Sequence, residues 1–320
     1  MDTLQVKTIF SEDIRTGLSS FPRYIPSKYF YDDEGSRIFQ KIMRMPEYYL
    51  TDCEYEIFRD NARDFYELIN PDNRRFDLIE LGAGDGLKTS LLISHCLEVQ
   101  ARFKYVPIDI SVDALLNLVK KLRLSFPGLV VSEIAGDYFE VLNDLNFCDD
   151  CRKVNLFLGS NIGNYSHGES VGFFRQLSSV LNPGDIVITG FDLVKSPDII
   201  LDAYNDPHGY TRDFNLNLLS RMNYELGADF NPSNFIHTPV YDPAEQTAKS
   251  FLVSTRNQDV HFEALDFTAH FNKWESIRTE ISRKFTFDEI DSLAEKTGFR
   301  PLKNFTDKKE WYVNALWKKI

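Results

Sequence analysis

A buried strand that runs straight into three closely spaced glycines constrains this chain more than any other stretch. Phe76, Leu78, Ile79 and Leu81 form a nearly continuous apolar run, as a strand covered on both faces requires. Gly82, Gly84 and Gly86 follow at once, ahead of an amphipathic helix. Glycines there let the backbone turn sharply and let a ligand approach main-chain N–H groups beside a helix N-terminus. A dinucleotide cradle writes G-x-G-x-x-G, whereas here the third glycine comes one residue early, and no triphosphate loop ending in Gly-Lys-Ser/Thr is present. A shorter turn preceded by acidic Glu80 suits a ligand with a ribose, an amino group and a carboxylate but no phosphate. S-adenosylmethionine is such a ligand. On the glycines alone, a tight turn without a ligand is an equal reading.

The pattern around this turn predicts a parallel sheet. A helix over about 87–100 leads to a strand Phe103–Ile110 containing Asp109, and a helix over about 111–124 leads to a strand Leu129–Ile134 followed by Asp137 and Tyr138. Lys153–Leu158 enters the turn Gly159–Asn164, a helix spans about 168–181, and Asp185–Thr189 is the fifth strand. Strands alternating with helices argue for a parallel sheet, whose ligands sit at the strands' carboxyl ends. Asp109, Asp137 and Asn164 fall at successive ends; each alone is a common loop residue, and together they favour a site.

The flanks read differently. Residues 1–50 form an aromatic, proline-marked segment (Tyr29, Phe30, Tyr31, Phe39, Tyr48, Tyr49) rather than a regular amphipathic element, suggesting a wall or lid. Thr51-x-x-Glu54 reads as a capping box, with Phe58, Ala62, Phe65 and Ile69 on one face of the helix that follows. From about 195 to 275 the alternation breaks and a separate core is expected, its clearest element a helix from Thr211 to Leu226 stopped by Gly227. Ile277–Phe285 alternates, with Ile277, Thr279 and Ile281 on one face and Glu280 and Ser282 on the other, which by pattern alone faces solvent. A last helix begins at Thr286, and two closing strands, about 301–306 and 310–317, complete the sheet.

Composition narrows the function classes. With 48 acidic against 36 basic residues and a net charge of −12, a nucleic-acid or anionic membrane surface would repel the chain. No run of about 18 apolar residues occurs, so a small-molecule enzyme of the cytoplasm, acting as a monomer, is the expectation. Cys148-Asp-Asp-Cys151 has the spacing of redox and metal sites, but no second pair or paired histidines accompany it, so it reads as an acidic surface loop and no metal is expected.

Over nearly its whole length the chain resembles the histidine-specific, S-adenosylmethionine-dependent N-methyltransferases of ergothioneine biosynthesis. The resemblance is carried by Lys28–Asp32 with Gly35-Ser36, Met45–Thr51, Glu80–Thr89, Gly136-Asp137, Phe157–Asn164, Asp192–Lys195, Ala203-Tyr204, Phe214-Asn215 and Thr279–Ser282. It implies an α/β fold, a Rossmann-like class I methyltransferase sheet (56–194 and 284–320) with a discontinuous α+β substrate-binding unit (1–55 and 195–283). It further implies that Gly82, Lys88, Asp109, Asp137 and Tyr138 meet the cofactor, and that Tyr31, Phe39, Tyr48, Asn164, Tyr204, Glu280 and Ser282 meet the amino acid. Asn164 and Tyr204 would hold its α-amino and carboxylate groups, while Glu280 and Ser282 would bond the imidazole. The implied reaction is methylation of the α-amine of histidine, up to three times, with another aromatic amino acid such as tryptophan as the alternative substrate. A methionine typical of the family falls near Ser250-Phe251, where this chain has none.

Overall fold

The computed structural model describes residues 3–136, 141 and 151–320; Asp137, Tyr138 and Cys148 lie outside them. In chain order the strands are β1 (Arg23–Tyr24), β2 (Phe76–Leu81), β3 (Phe103–Asp109), β4 (Ile134–Ala135), β5 (Arg152–Phe157), β6 (Ile186–Asp192), β7 (Phe235–Asp242), β8 (Thr247–Ser254), β9 (Gln258–Phe262), β10 (Phe267–Phe271), β11 (Ser276–Arg283), β12 (Phe299–Thr306) and β13 (Tyr312–Lys319). The chain divides into two units, Met1–Tyr49 with Lys195–Arg283, and Leu50–Val194 with Lys284–Ile320.

The second unit holds a seven-stranded sheet of order β12-β13-β6-β5-β2-β3-β4. β4, β3, β2, β5 and β6 are parallel, while β13 enters antiparallel beside β6 and carries β12 at the edge. Every residue of β2 and β6 is buried, which is why they read as continuous apolar runs rather than alternating ones. β2 has β3 on one side and β5 on the other, so the order reverses there, at the carboxyl end that bears the glycines. Helices Phe287–Lys296 and His167–Val180 both open with a complete capping box. They pack Phe173, Phe174, Ile290 and Leu293 into a core with Phe191 and Trp317. The expected strand Leu129–Ile134 reduces to β4 and one bridge, Tyr105 to Val131. At that sheet edge Val130 is 59% exposed, and little burial is available to extend the ladder.

The first unit contains two helices where no regular element was expected. Thr3–Ser19 buries Phe10, Ile14 and Leu18, spaced four apart on one face. Asp33–Ile42 is capped by the Asp32 carboxylate, which accepts from the Gly35 N–H at 2.7 Å. The helix Tyr210–Leu226 stops as expected: Gly227 takes φ +62°, and its N–H donates to Met222 O. Its Phe214, Leu218 and Met222 share a core with the first helix and with Leu252 and Ile277 of a four-stranded sheet of order β1-β11-β8-β7; β9 and β10 form a separate pair.

Candidate active site

The glycine turn is shaped by its backbone. Gly84 lies at φ +52° with open space around the position of a Cβ, and its N–H donates to Asp109 Oδ2 at 2.9 Å. Gly86, at φ +63°, allows close packing, since a Cβ there would come within 2.4 Å of Leu118 Cδ1. The structure thus brings Asp109 to the turn, its other oxygen accepting from Ser111 N at 2.9 Å. Gly82 takes φ +74°, and the amide of Asn161 lies 3.4 Å from where its Cβ would be. Asn161 was missed in the sequence, where Asn164 was favoured at the other end of the same 3₁₀ turn, Asn161–Asn164. Asn164 is half-buried there. Asp137 and Tyr138 lie outside the described residues.

Lys88 is held by Glu54, the residue that sequence reasoning misplaced. The helix Tyr49–Ile69 begins before Thr51, so Thr51-x-x-Glu54 is no capping box. Glu54 is instead fully buried and accepts from Lys88 Nζ, from the Gly159 N–H at 2.9 Å and from Asn314 Nδ2 at 2.8 Å. It ties together the glycine turn, the loop after β5 and β13. Its sequence signal was a charge in line with Phe58, Phe65 and Ile69, the helix's buried residues. Gly190 makes room for it: a Cβ there would come within 2.3 Å of Glu54 Oε1.

Glu80 is a second buried carboxylate beside the turn. It accepts from Thr89 Oγ1 at 2.7 Å and from the Tyr105 hydroxyl. Burial pushes its carboxyl up to about 7, with the two hydroxyl bonds and Lys88 pulling the other way. Both its oxygens serve the scaffold. Of the C-x-x-C pair, Cys148 lies outside the described residues and Cys151, just before β5, is buried rather than part of a surface loop.

In the first unit, Tyr31, Tyr48 and Phe214 gather around Phe39. Ring centroids lie 5.4 Å apart for Tyr31 and Phe39, 6.0 Å for Phe39 and Tyr48, and 5.6 Å for Phe39 and Phe214. The polar candidates form a second group. Tyr204, 5% exposed, donates from its hydroxyl to Ser282 Oγ at 2.7 Å. Ser250 Oγ donates to Glu280 Oε2 at 3.0 Å.

Glu280 and Ser282 therefore do not face solvent as simple alternation implied. β8 alternates cleanly, with Ala248, Ser250, Leu252 and Ser254 buried. Opposite Leu252, Ser250 and Ala248 stand Ile277, Glu280 and Ser282, with a register shift between Arg278 and Glu280. Residues directly opposite share a face, so one extra residue, Thr279, moves Glu280 and Ser282 onto the same inner face as Ile277. Ile281, expected inside, pairs with Lys249 on the other face and is half-buried. Sequence periodicity carries no mark of a bulge, and this is why the pattern misled.

The family described as histidine-specific, SAM-dependent methyltransferase matches residues 10–319. The chain is 33% identical to a histidine N-alpha-methyltransferase of Mycobacterium tuberculosis over 92% of this chain and 90% of that one. It is 32% identical to the protein of the same name from Mycolicibacterium smegmatis, with the same coverage. It is also 26% identical to the ergothioneine biosynthesis protein 1 of Neurospora crassa, over 99% of this chain but 36% of that longer protein. With a match over almost its full length, this chain belongs to the histidine-specific, S-adenosylmethionine-dependent methyltransferase family.

Proposed function

We propose that this enzyme methylates the α-amino group of L-histidine, adding up to three methyl groups to give the trimethyl betaine. The observation that carries the reading is the inward turn of Glu280 and Ser282, which sets a carboxylate and a hydroxyl on one buried face of the first unit. An imidazole withdrawn from water needs an acceptor for its N–H and a hydrogen-bonding partner for its other nitrogen. A carboxylate supplies the first and a hydroxyl the second. In this reading Tyr31, Phe39 and Tyr48 form the aromatic wall against the substrate, and Asn164 and Tyr204 take its amino and carboxylate groups.

The residues of the second unit fit S-adenosylmethionine. Asp109 stands at the glycine turn with each oxygen accepting one backbone N–H, leaving lone pairs for two ribose hydroxyls. Lys88 gives one N–H to Glu54 and can turn others to a ligand carboxylate. Gly82 contributes backbone at the same turn, and Asp137 and Tyr138 would complete the adenosine contacts. When bound, the cofactor supplies an electrophilic sulfonium methyl. The protein's share is orientation of a neutral amine: only the free base has the lone pair that attacks, and alignment supplies most of the acceleration. Tyrosine rings tolerate the growing methylammonium charge through their quadrupoles. The substrate is a small molecule, and we propose neither nucleic acid nor membrane as a partner and a monomer as the working form.

The test is mass spectrometry of amino-acid mixtures incubated with the enzyme and methyl-labelled S-adenosylmethionine. Label should appear on histidine in up to three increments. Label on tryptophan or another aromatic amino acid, with histidine untouched, would replace histidine as the substrate.

A further inference from the structure

The bulge in β11 works against its own sequence. Without the extra residue, Ile277, Thr279 and Ile281 would share the inner face and Glu280 and Ser282 would turn away from it. That unbulged strand would bury one more isoleucine and no carboxylate, so something must favour the bulged register. The structure shows what holds the extra residue. Thr279, 1% exposed, donates from Oγ1 to Asn215 Oδ1 at 2.5 Å and lies 3.1 Å from the Ser250 carbonyl. Asn215 is fully buried, and its Nδ2 donates to Thr211 O at 2.9 Å, which fixes the direction of its carbonyl. The start of that helix is pinned in turn. Asp206 accepts from the N–H groups of Tyr210 and Thr211, both at 2.8 Å, and these bonds help hold its carboxyl below the usual range against the opposing effect of burial.

We propose that Thr279 and Asn215 are positioning residues that anchor the bulge of β11 and so keep Glu280 and Ser282 aimed at the substrate side chain. The inference rests on the reading above for what that side chain is, but not for the existence of the lock. Neither residue touches the imidazole. They act by fixing the backbone at the bulge: Thr279 points inward in either register, and with it held on Asn215 the bonds from Ser250 to Glu280 and from Tyr204 to Ser282, which exist only in the bulged strand, form beside it.

Thr279→Val keeps the branched shape and removes the hydroxyl, and Thr279→Ser restores it. The double variant Asn215→Leu/Thr279→Val removes both partners, so that no buried polar group is left alone and folding is preserved. The Val and double variants should raise the histidine KM about tenfold, the change expected from losing one such bond. They should leave kcat within about twofold, leave S-adenosylhomocysteine affinity unchanged, and barely alter the affinity of phenylalanine as a competitive ligand. Thr279→Ser should recover wild-type behaviour. In hydrogen exchange, the amides of 276–283 should exchange faster in the Val and double variants and at the wild-type rate in Thr279→Ser. Equal losses for histidine and phenylalanine, or a fall in cofactor affinity in step, would mark a purely structural role and overturn the proposal. If wild type proves inactive on histidine, the proposed substrate falls, yet the exchange data still decide the lock: unchanged protection in all variants would sink it.

Discussion

The two units each enclose a carboxylate, and they hold it in opposite ways. In the sheet unit Glu54 is sealed from solvent and met by a cation and two N–H groups from three separate chain segments. In the other unit Glu280 is half-buried, takes a hydroxyl from the neighbouring strand, and faces inward because of a bulge. The first arrangement fixes loops to one another, so its carboxylate is committed to the fold. The second aims a side chain. Glu80 is a third case, buried and met by two hydroxyls; burial raises its titration, and the hydroxyl bonds and Lys88 oppose the rise without cancelling it.

The largest expected effect follows from Glu54. Glu54→Ala leaves the Lys88 ammonium, 20% exposed, without its carboxylate, and breaking such a pair costs about 3–5 kcal/mol when burial is complete. About 3 kcal/mol of unfolding free energy should therefore be lost in denaturant titration, together with cofactor affinity. A loss of only about 1 kcal/mol, that of one ordinary hydrogen bond, would dissolve the contrast with Glu280.

Glu80 sharpens the comparison through pH. Its carboxyl goes from an ordinary value of 4.5 to about 7 in the folded protein. Between these values the folded state keeps a proton that the unfolded chain has released, so stability falls as pH rises through the window and stays low above it. Glu80→Gln should flatten this part of the profile and, above pH 7, unfold at a higher temperature than wild type, by the equivalent of about 3 kcal/mol. Parallel profiles of Tm against pH for the two proteins would show that Glu80 stays ionised throughout.

Next in size is Asp109→Ala, which should weaken S-adenosylmethionine about 10- to 150-fold in calorimetry, as expected for losing a charged hydrogen-bond acceptor worth about 1.5–3 kcal/mol. Histidine affinity measured with S-adenosylhomocysteine present should hardly move.

Glu280→Ala should cost histidine about 5- to 150-fold in kcat/KM, corresponding to about 1–3 kcal/mol, and cost tryptophan much less. Equal losses would make Glu280 structural after all, like Glu54. The smallest effect is expected of Ser250→Ala, which removes one neutral bond to Glu280: about a fivefold loss in histidine kcat/KM, absent when Glu280 is already alanine. A loss of the same size in both backgrounds would mean that Ser250 acts elsewhere.

What the sequence revealed divides along the same line. Parallel strands buried on both faces and helices with capping boxes write themselves in local pattern, so β2, β3, β5, β6 and the glycine turn were legible, and with them Asp109 at a strand end. Glu54 was not. Its partners lie far along the chain, and its one local signal imitated a cap. Phe10, Ile14 and Leu18 carry the period of the helix Thr3–Ser19, but three positions are a faint signal beside the irregular run of rings and prolines that follows. Glu280 and Ser282 were named only through the family resemblance. The physics that turns them inward belongs to Thr279 and Asn215, on different elements, and no window on β11 alone contains it.

The place of β13 has a consequence for how the chain is made. Translated after β6 and after the whole of Lys195–Arg283, it lies between β6 and β12, with Tyr312 and Trp317 fully buried. Until Tyr312–Lys319 arrives, β6, a strand buried along its whole length in the finished sheet, presents one unpaired edge, the kind of surface to which other strands add. The growing polypeptide must therefore keep that edge covered while all of Lys195–Arg283 is synthesised, and chains cut short before Tyr312 should accumulate as aggregates rather than as a smaller folded protein.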